Sequence, residues 1–351
     1  MIRVLVLSAG DPAGINFCKS LRLEPDAFRI LGADTDPYRL HLAVADERHL
    51  LPSAAEPGYL DALVRLVRRL APDLVYAADT NRELEIVSEH RDALDAPVFL
   101  PRVEAVRVYE DKWECTRRCV AAGITVPETI LLRGPADLEQ AFARFGSVWL
   151  RATHGSGGRG SLPTTDPVLA RAWIERHRGW GSFTAAERLT SRMATWIGLW
   201  RNGELVVAQG RRRLHWEYAH LSPSGVSGIT AAQATTSDPQ IETIARATIA
   251  AAGFAPHGIV SVDLTYDDAS IPNPTEIQAS RFYTSIQFLA RAGLNLPAMY
   301  VRLGVGLDVD GYPTGSSPLA DDLVWLKTVD AEPILTDMAS IDRNAALWSA
   351  A

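Results

Sequence analysis

The stretch that decides the fold is Ser147-Val-Trp-Leu-Arg-Ala-Thr-His-Gly-Ser-Gly-Gly-Arg-Gly160. Its first five residues, Ser147 to Arg151, are an apolar run with the pattern of a buried strand. The next segment, His154-Gly155-Ser156-Gly157-Gly158-Arg159-Gly160, holds four glycines in seven residues. Glycine admits positive φ without steric penalty and lets backbone N–H groups approach a polyphosphate closely. No Gly-Lys-Ser/Thr closes the loop and no helix pattern starts at once, so this is not a Walker A loop.

Working outward, two cations bracket the loop. Lys112 follows Glu110-Asp111 at the start of a helix pattern, and Arg151 ends the strand that feeds the glycines. Two fixed cations around a glycine flap suit a triphosphate. Further on, Asp263 lies in Val260-Ser-Val-Asp-Leu-Thr265, and Glu276-Ile-Gln278 follows thirteen residues later. Adjacent antiparallel strands at 258–266 and 274–278, joined by a turn at 267–273, would let Asp263, Glu276 and Gln278 face one another. Carboxylates with an amide oxygen are hard ligands suited to Mg²⁺, which also takes water and phosphate oxygens. Arg281, just beyond, is placed to neutralise charge on a transferred phosphoryl group.

The first hundred residues alternate short apolar runs with helical patterns. Strands are expected at 2–7, 28–33, 73–78 and 97–101, and Leu60, Leu63, Val64, Val67 and Leu70 share one helix face. Such alternation predicts a parallel α/β sheet with ligands at the carboxyl ends of its strands. Ser8-Ala-Gly-Asp-Pro-Ala-Gly14 follows the first strand but lacks the G-x-G-x-x-G spacing, so it reads as a tight turn, not a nicotinamide-cofactor fingerprint. From Glu104 the pattern changes to one or two helices ending at Gly123, a strand at 129–132, a helix at 136–145, and then the glycine segment. A second α+β section runs from about 183 to 306, with strands at 195–200, 205–209 and 258–266. The last forty or so residues carry little periodicity and are expected to wrap over the body.

In this order, Glu110-Asp111-Lys112, Val148-Trp-Leu-Arg151, the glycine flap, Ala186-Glu187-Arg-Leu189, Val262-Asp263 and Glu276-Ile-Gln-Ala-Ser-Arg-Phe282 resemble the ATP-grasp superfamily. The likeness is to carboxylate–amine ligases similar to the large subunit of carbamoyl phosphate synthetase, over residues 1 to 310. It implies a parallel α/β pre-ATP-grasp domain at 1–107, a small ATP-grasp subdomain with the flap at 108–183, a central subdomain with the metal site at 184–314, and a C-terminal extension at 315–351. It also implies roles. Lys112 and Arg151 would hold ATP phosphates, and residues 154–160 would close over the β- and γ-phosphates. Glu187, Arg188 and Leu189 would present backbone groups to adenine. Asp263, Glu276 and Gln278 would bind Mg²⁺, as one or two ions with Mn²⁺ the substitute, and Arg281 would face an acyl phosphate. Three positions depart from the pattern: Gln278 replaces the usual asparagine, Ser280 adds a step before Arg281, and Ser191-Arg-Met193 stands where an acidic ribose contact is common.

The implied reaction forms an amide from a small carboxylic acid and an amine, with ADP and phosphate released. Phosphorylation of a carboxylate or carbamate without amide formation, and a degenerate nucleotide-binding module, are the alternatives. The acceptor side is less specified. Asp79, Asn81 and Glu83 follow a strand end, where they either contact a substrate or serve a helix start, with Thr80 or Asn81 as its cap. Arg211 and Arg213 share a strand face and either point at an anion or end a solvated strand.

The formal charge of −7 argues against nucleic acid as the main partner. Three cysteines, Cys18, Cys115 and Cys119, without metal-type spacing fit a reducing compartment, with Cys115 and Cys119 as small buried hydrophobes. With no signal-peptide pattern and no membrane-length apolar run, the expectation is a cytoplasmic enzyme acting on small molecules. A homodimeric assembly is compatible with the family.

Overall fold

A computed structural model describes residues 1–77, 81–226, 229–329 and 331–349. Its N-terminal section forms a parallel sheet of β1 (Ile2–Leu7), β2 (Phe28–Asp34), β3 (Glu47–Leu50) and β4 (Leu74–Ala77) in the order β3-β2-β1-β4. Helices α1 (Pro12–Leu21), α2 (Pro37–Leu42), α3 (Tyr59–Leu70) and α4 (Asn81–Glu89) connect and follow the strands. The periodicity of α3 explains its packing: Leu63, Leu66, Val67 and Leu70 are all buried. Each such side chain contributes roughly 1.5–3 kcal/mol relative to exposure. The structure corrects one strand. Residues 97–101 make only an isolated bridge, Val75 to Val98, and the fourth strand is the short β3, whose alternating exposed residues gave no apolar run.

Next come α5 (Val103–Glu110) and α6 (Lys112–Ala121). The break between them is chemical. The Asp111 carboxylate accepts from the Trp113 and Glu114 backbone N–H groups, capping α6 and fixing Lys112 in its first turn. A four-stranded antiparallel sheet follows, made of β5 (Thr129–Leu131), β6 (Val148–Ala152), β7 (Leu162–Thr164) and β8 (Phe183–Glu187) in the order β5-β8-β6-β7. It is backed by α7 (Pro135–Phe145) and α8 (Pro167–Arg176). The glycine segment links β6 to β7.

The largest sheet has eight strands. β9 (Met193–Arg201), β10 (Glu204–Trp216) and β11 (Thr230–Thr236) are followed by α9 (Pro239–Ala251), β12 (Gly258–Tyr266) and β13 (Pro272–Ala279). Then come α10 (Gln287–Arg291), α11 (Leu296–Gly304), β14 (Gly315–Ser316), β15 (Leu323–Thr328), β16 (Ala331–Asp337) and α12 (Met338–Ser349). The C-terminal stretch therefore does more than wrap over the body. β15 pairs with β11 and β16 with β15, extending the sheet.

Strand alternation divides this sheet into two chemically different faces. Trp196, Val260, Val262, Leu264 and Ile277 pack into one core with Ile241, Ala245 and Ile249 of α9. The opposite face is apolar only at one end, where Ile197, Leu199, Val207 and Ile259 meet α11 and the N-terminal section. Towards its other end that face turns polar, and the candidate site lies there.

Candidate functional site

Backbone register lays out a polar row across four strands. Arg211 of β10 pairs with Thr195 of β9, Thr195 with Asp263 of β12, and Asp263 with Glu276 of β13. The hairpin expected from the sequence is present, and Asp263 and Glu276 stand directly opposite one another. Gln278 lies on the same face, two residues along, opposite Ser261.

A cavity of about 410 Å³ separates this row from the small sheet, a size suited to a small-molecule ligand. Lys112, Arg151, Asp263 and Glu276 all line it, as do flap residues from His154 to Arg159 and the segment Glu187 to Ser191. Trp149 and Trp216 add aromatic wall. Residues scattered over more than 160 positions thus converge on one space. Neither Gln278 nor Arg281 is among the lining residues. Between them Ser280 has a positive φ of 52°.

The cations are held in place. Lys112 Nζ donates to the Gly155 carbonyl at 2.6 Å and sits 3.6 Å from Glu276 Oε1, tying flap, helix and central sheet together. Arg151 donates from Nη1 to the Thr275 carbonyl at 2.8 Å, while its Nε has no hydrogen-bond partner among the described residues. Burial pushes the Arg151 pKa down from its ordinary value, but an arginine so shifted stays charged at neutral pH. Its unsatisfied donor is the kind of buried group that a ligand oxygen would complete.

Gly155, Gly157, Gly158 and Gly160 all have positive φ, between 66° and 112°. At Gly158 a Cβ would also meet the Val226 carbonyl oxygen at 2.8 Å. The flap therefore rests against the segment around Ser224–Val226, which joins the cavity wall and had no signal in the sequence. Trp173 anchors the flap's far end by donating from Nε1 to the Gly160 carbonyl at 2.9 Å. On its other side, the flap bounds a second opening of about 590 Å³ with Arg82, Arg107 and Asp111. His154 Nδ1 lies 3.0 Å from Thr153 Oγ1.

Asp263 is engaged more than expected. Arg213 Nη2 donates to both its oxygens at 2.9 Å, and Thr195 Oγ1 donates at 2.7 Å. Arg213 also packs over Trp216, 4.6 Å from its ring centroid, and lines the cavity. Among the described residues no group of three His, Cys, Asp or Glu side chains could hold a metal by itself. Two carboxylates sharing a face leave room for phosphate oxygens and water in an Mg²⁺ shell, so the donor chemistry fits that ion.

The remaining candidates sit elsewhere. Arg211 is 3% exposed and donates from Nη1 to Gln233 Oε1 and, at 3.1 Å, to Ser285 Oγ. The solvated strand end is thereby excluded for it. Asp79 and Thr80 lie outside the described residues, as does the side chain of Asn81. Glu83 is buried at 1% exposure, accepting from Ser8 Oγ at 2.8 Å and Tyr59 Oη at 2.5 Å. Burial is the main cause that pushes its pKa up to about 7. The enclosed carboxyl clamps α4 to the turn after β1 and to α3. All three cysteines are free and buried, and burial raises each thiol's pKa.

No family model matches the chain. A curated phosphoribosylamine–glycine ligase from Streptomyces coelicolor is 29% identical over 175 residues, covering 49% of this chain. The match spans only 39% of that relative's length. Among solved structures, the N5-carboxyaminoimidazole synthetase of Staphylococcus aureus superposes with a TM-score of 0.72 at 12% identity, covering 98% of this chain and 96% of the other. The carboxyaminoimidazole ribonucleotide synthase of Aspergillus clavatus, solved with ATP, gives a TM-score of 0.66 at 18% identity, covering 93% and 81%. No helix among the described residues is long and apolar enough to cross a membrane. The chain shares the overall fold of these solved structures.

Proposed function

We propose that the chain is an ATP-dependent carboxylate–amine ligase working through an acyl phosphate. The observation that carries this reading is the convergence of Lys112, Arg151, the glycine flap, Asp263 and Glu276 on one cavity between two sheets. The curated relative is named for joining an amine and glycine, and one neighbour was solved with ATP. The proposed division is 1–107, 108–183, 184–314 and 315–351, with small molecules as the substrates.

In this reading a substrate carboxylate oxygen attacks the γ-phosphorus and ADP leaves. An amine then adds to the acyl carbon, loses a proton, and phosphate departs carrying one former carboxylate oxygen. Lys112 and Arg151 hold phosphate oxygens, Arg151 with the Nε that lacks a partner among the described residues. Flap amides between His154 and Gly160 close over the phosphates and exclude water, which would otherwise hydrolyse the acyl phosphate. The segment Glu187 to Leu189 offers backbone groups to the base. Asp263 and Glu276 would hold Mg²⁺, which when bound supplies charge neutralisation at the transferred phosphoryl group. Arg213, held by Asp263 and Trp216 at the same wall, is the cation we put in the role expected of Arg281.

One observation favours a second reading, nucleotide binding without turnover: both Asp263 oxygens are taken by Arg213, and Gln278 is off the wall. ADP release from Mg·ATP, measured against pooled amino acids and small carboxylic acids with and without amines, separates the possibilities. Ligase activity gives ADP that requires both an acid and an amine. ADP formation independent of amine would indicate carboxylate phosphorylation alone, and nucleotide binding with no ADP would establish the second reading.

A further inference from the structure

The glycine flap has two sides, and only one of them faces the nucleotide cavity. The opening of about 590 Å³ behind it shares His154, Gly155, Ser156 and Arg159 with that cavity, and its remaining walls come from α4, α5 and Asp111. It borders the reacting region of the proposed site. Asp111 directly precedes Lys112, whose Nζ bonds the Gly155 carbonyl at 2.6 Å and lies 3.6 Å from Glu276 Oε1. The side chains that α4 and α5 bring to this opening have no part in holding the nucleotide.

Charge is distributed unevenly over these walls. On the helices the ions are already matched: Glu85 accepts from Arg82 at 3.3 Å and from Arg107 at 2.7 Å, and Arg107 also donates to Glu89 at 3.1 Å. Two other charged side chains have no ion pair among the described residues. Asp111 caps α6 through Oδ1 alone, which leaves Oδ2 open. Arg159 is exposed on the flap and bonds only within it, from Nε to the Ser156 carbonyl at 3.3 Å and from Nη2 to Ser156 Oγ at 3.5 Å. His154 has Nδ1 engaged by Thr153 Oγ1 at 3.0 Å, so Nε2 is the ring nitrogen left for a ligand. The opening therefore offers a carboxylate oxygen at the start of α6 and, on the flap, a guanidinium with an imidazole.

We propose that this second opening holds the amine substrate and that this substrate is an amino acid, its ammonium taken by Asp111 Oδ2 and its carboxylate by Arg159 and His154. A lone carboxylate would meet repulsion from Asp111 and a lone amine would meet it from Arg159, whereas a molecule carrying both signs answers both. Placing the nitrogen at Asp111 sets it beside Lys112, next to the phosphate machinery that would form the acyl phosphate. Placing the carboxylate at Arg159 lets this substrate, as well as the nucleotide, favour flap closure. The matching of charges stands on geometry, whereas the assignment to the amine of the reaction rests on the ligase reading.

The test uses the full chain holding Mg²⁺ and ADP, so that the nucleotide cavity is filled. The protein amino acids are titrated singly by calorimetry, each beside the amine that lacks its carboxylate. At least one amino acid is expected to bind saturably and about tenfold or more tighter than its amine, which leaves the flap donors unmet. Arg159→Gln should weaken that amino acid by about tenfold and leave its amine within about twofold. Asp111→Asn, which keeps the α6 cap, should weaken both ligands by the same factor of about five or more with the thermal melt little changed. No saturable binding by any amino acid, an amino acid bound no tighter than its amine, or equal losses for the two ligands in Arg159→Gln would overturn the proposal. The titrations are repeated without nucleotide, so that a failure of ADP to bind counts against the ligase reading alone. ADP release from Mg·ATP is then followed with the same panel and added carboxylic acids. Amino-acid binding without turnover would support this site while counting against the ligase reading. Turnover with simple amines and no amino-acid binding would overturn this proposal and leave the ligase reading standing.

Discussion

Replacing Glu276 by Gln separates catalysis from folding more cleanly than other changes in the site. Among the described residues its ion pair is with Lys112 at 3.6 Å, and its side chain is 22% exposed. At that separation the Coulomb term is about 1 kcal/mol in water and at most about 5 kcal/mol at an effective dielectric near 20, before desolvation is subtracted. Partly exposed pairs of this kind net about 1 kcal/mol or less. Lys112 also keeps its bond to Gly155, so the flap stays anchored. Glu276→Gln should therefore lower the melting temperature by no more than about 4 °C. Turnover is another matter: removing one charge that acts at the transferred phosphoryl group costs roughly 3–4 kcal/mol, or a factor of about 10²–10³ in kcat. The assay is ADP release at saturating Mg·ATP beside a thermal melt of the same sample. Turnover within threefold of wild type, with the fold intact, would refute the assignment of Glu276 to the phosphoryl-transfer machinery. A large loss of stability would refute the reasoning about Lys112.

Asp263→Asn should behave differently. It removes the charge that pairs with Arg213 and one of the two oxygens accepting from it, and perturbs the bond from Thr195, so thermal unfolding should show about 3 kcal/mol of lost stability together with lost turnover. Gly158→Ala places a Cβ 2.8 Å from the Val226 carbonyl oxygen at a φ of 68°. The left-handed strain alone is about 1–2 kcal/mol, and calorimetry should find nucleotide affinity weakened about tenfold with little change in secondary structure. Glu83, whose carboxyl is raised from 4.5 to about 7, binds its proton more tightly folded than unfolded. Its contribution thus favours the fold most below about pH 4.5, declines as pH rises to about 7, and is flat above; the window is worth about 3 kcal/mol. Glu83→Gln should flatten that decline in urea melts taken from pH 5 to 8. Cys18 and Cys119, raised to about 12 and about 11 by burial, should resist a thiol reagent at pH 8 until denaturant is added.

The sequence was most legible where backbone pattern and chemistry coincide. The run Val148 to Arg151 followed by glycines fixed the strand and flap, and the spacing of Asp263 from Glu276 anticipated a hairpin that pairs them. What escaped was set by partners distant in the chain. Nothing in Arg211-Arg-Arg213 says that the third reaches Asp263 across β9 while the first turns to Ser285. Nor does the spacing reveal the positive φ at Ser280, between Gln278 and Arg281. β3 and β15 lacked long apolar runs, since β3 alternates exposed residues and β15 buries only Val324 and Trp325 fully.

The central claim is that a carboxylate is activated by phosphoryl transfer from ATP, and oxygen transfer measures it most directly. The acids and amines that support ADP release would be supplied with ¹⁸O in the carboxylate, and the phosphate formed would be analysed by mass spectrometry. The account predicts one ¹⁸O atom in each phosphate released, appearing in step with ADP. Phosphate free of label while ADP accumulates would mean that water, not the carboxylate, takes the phosphoryl group, and would contradict it.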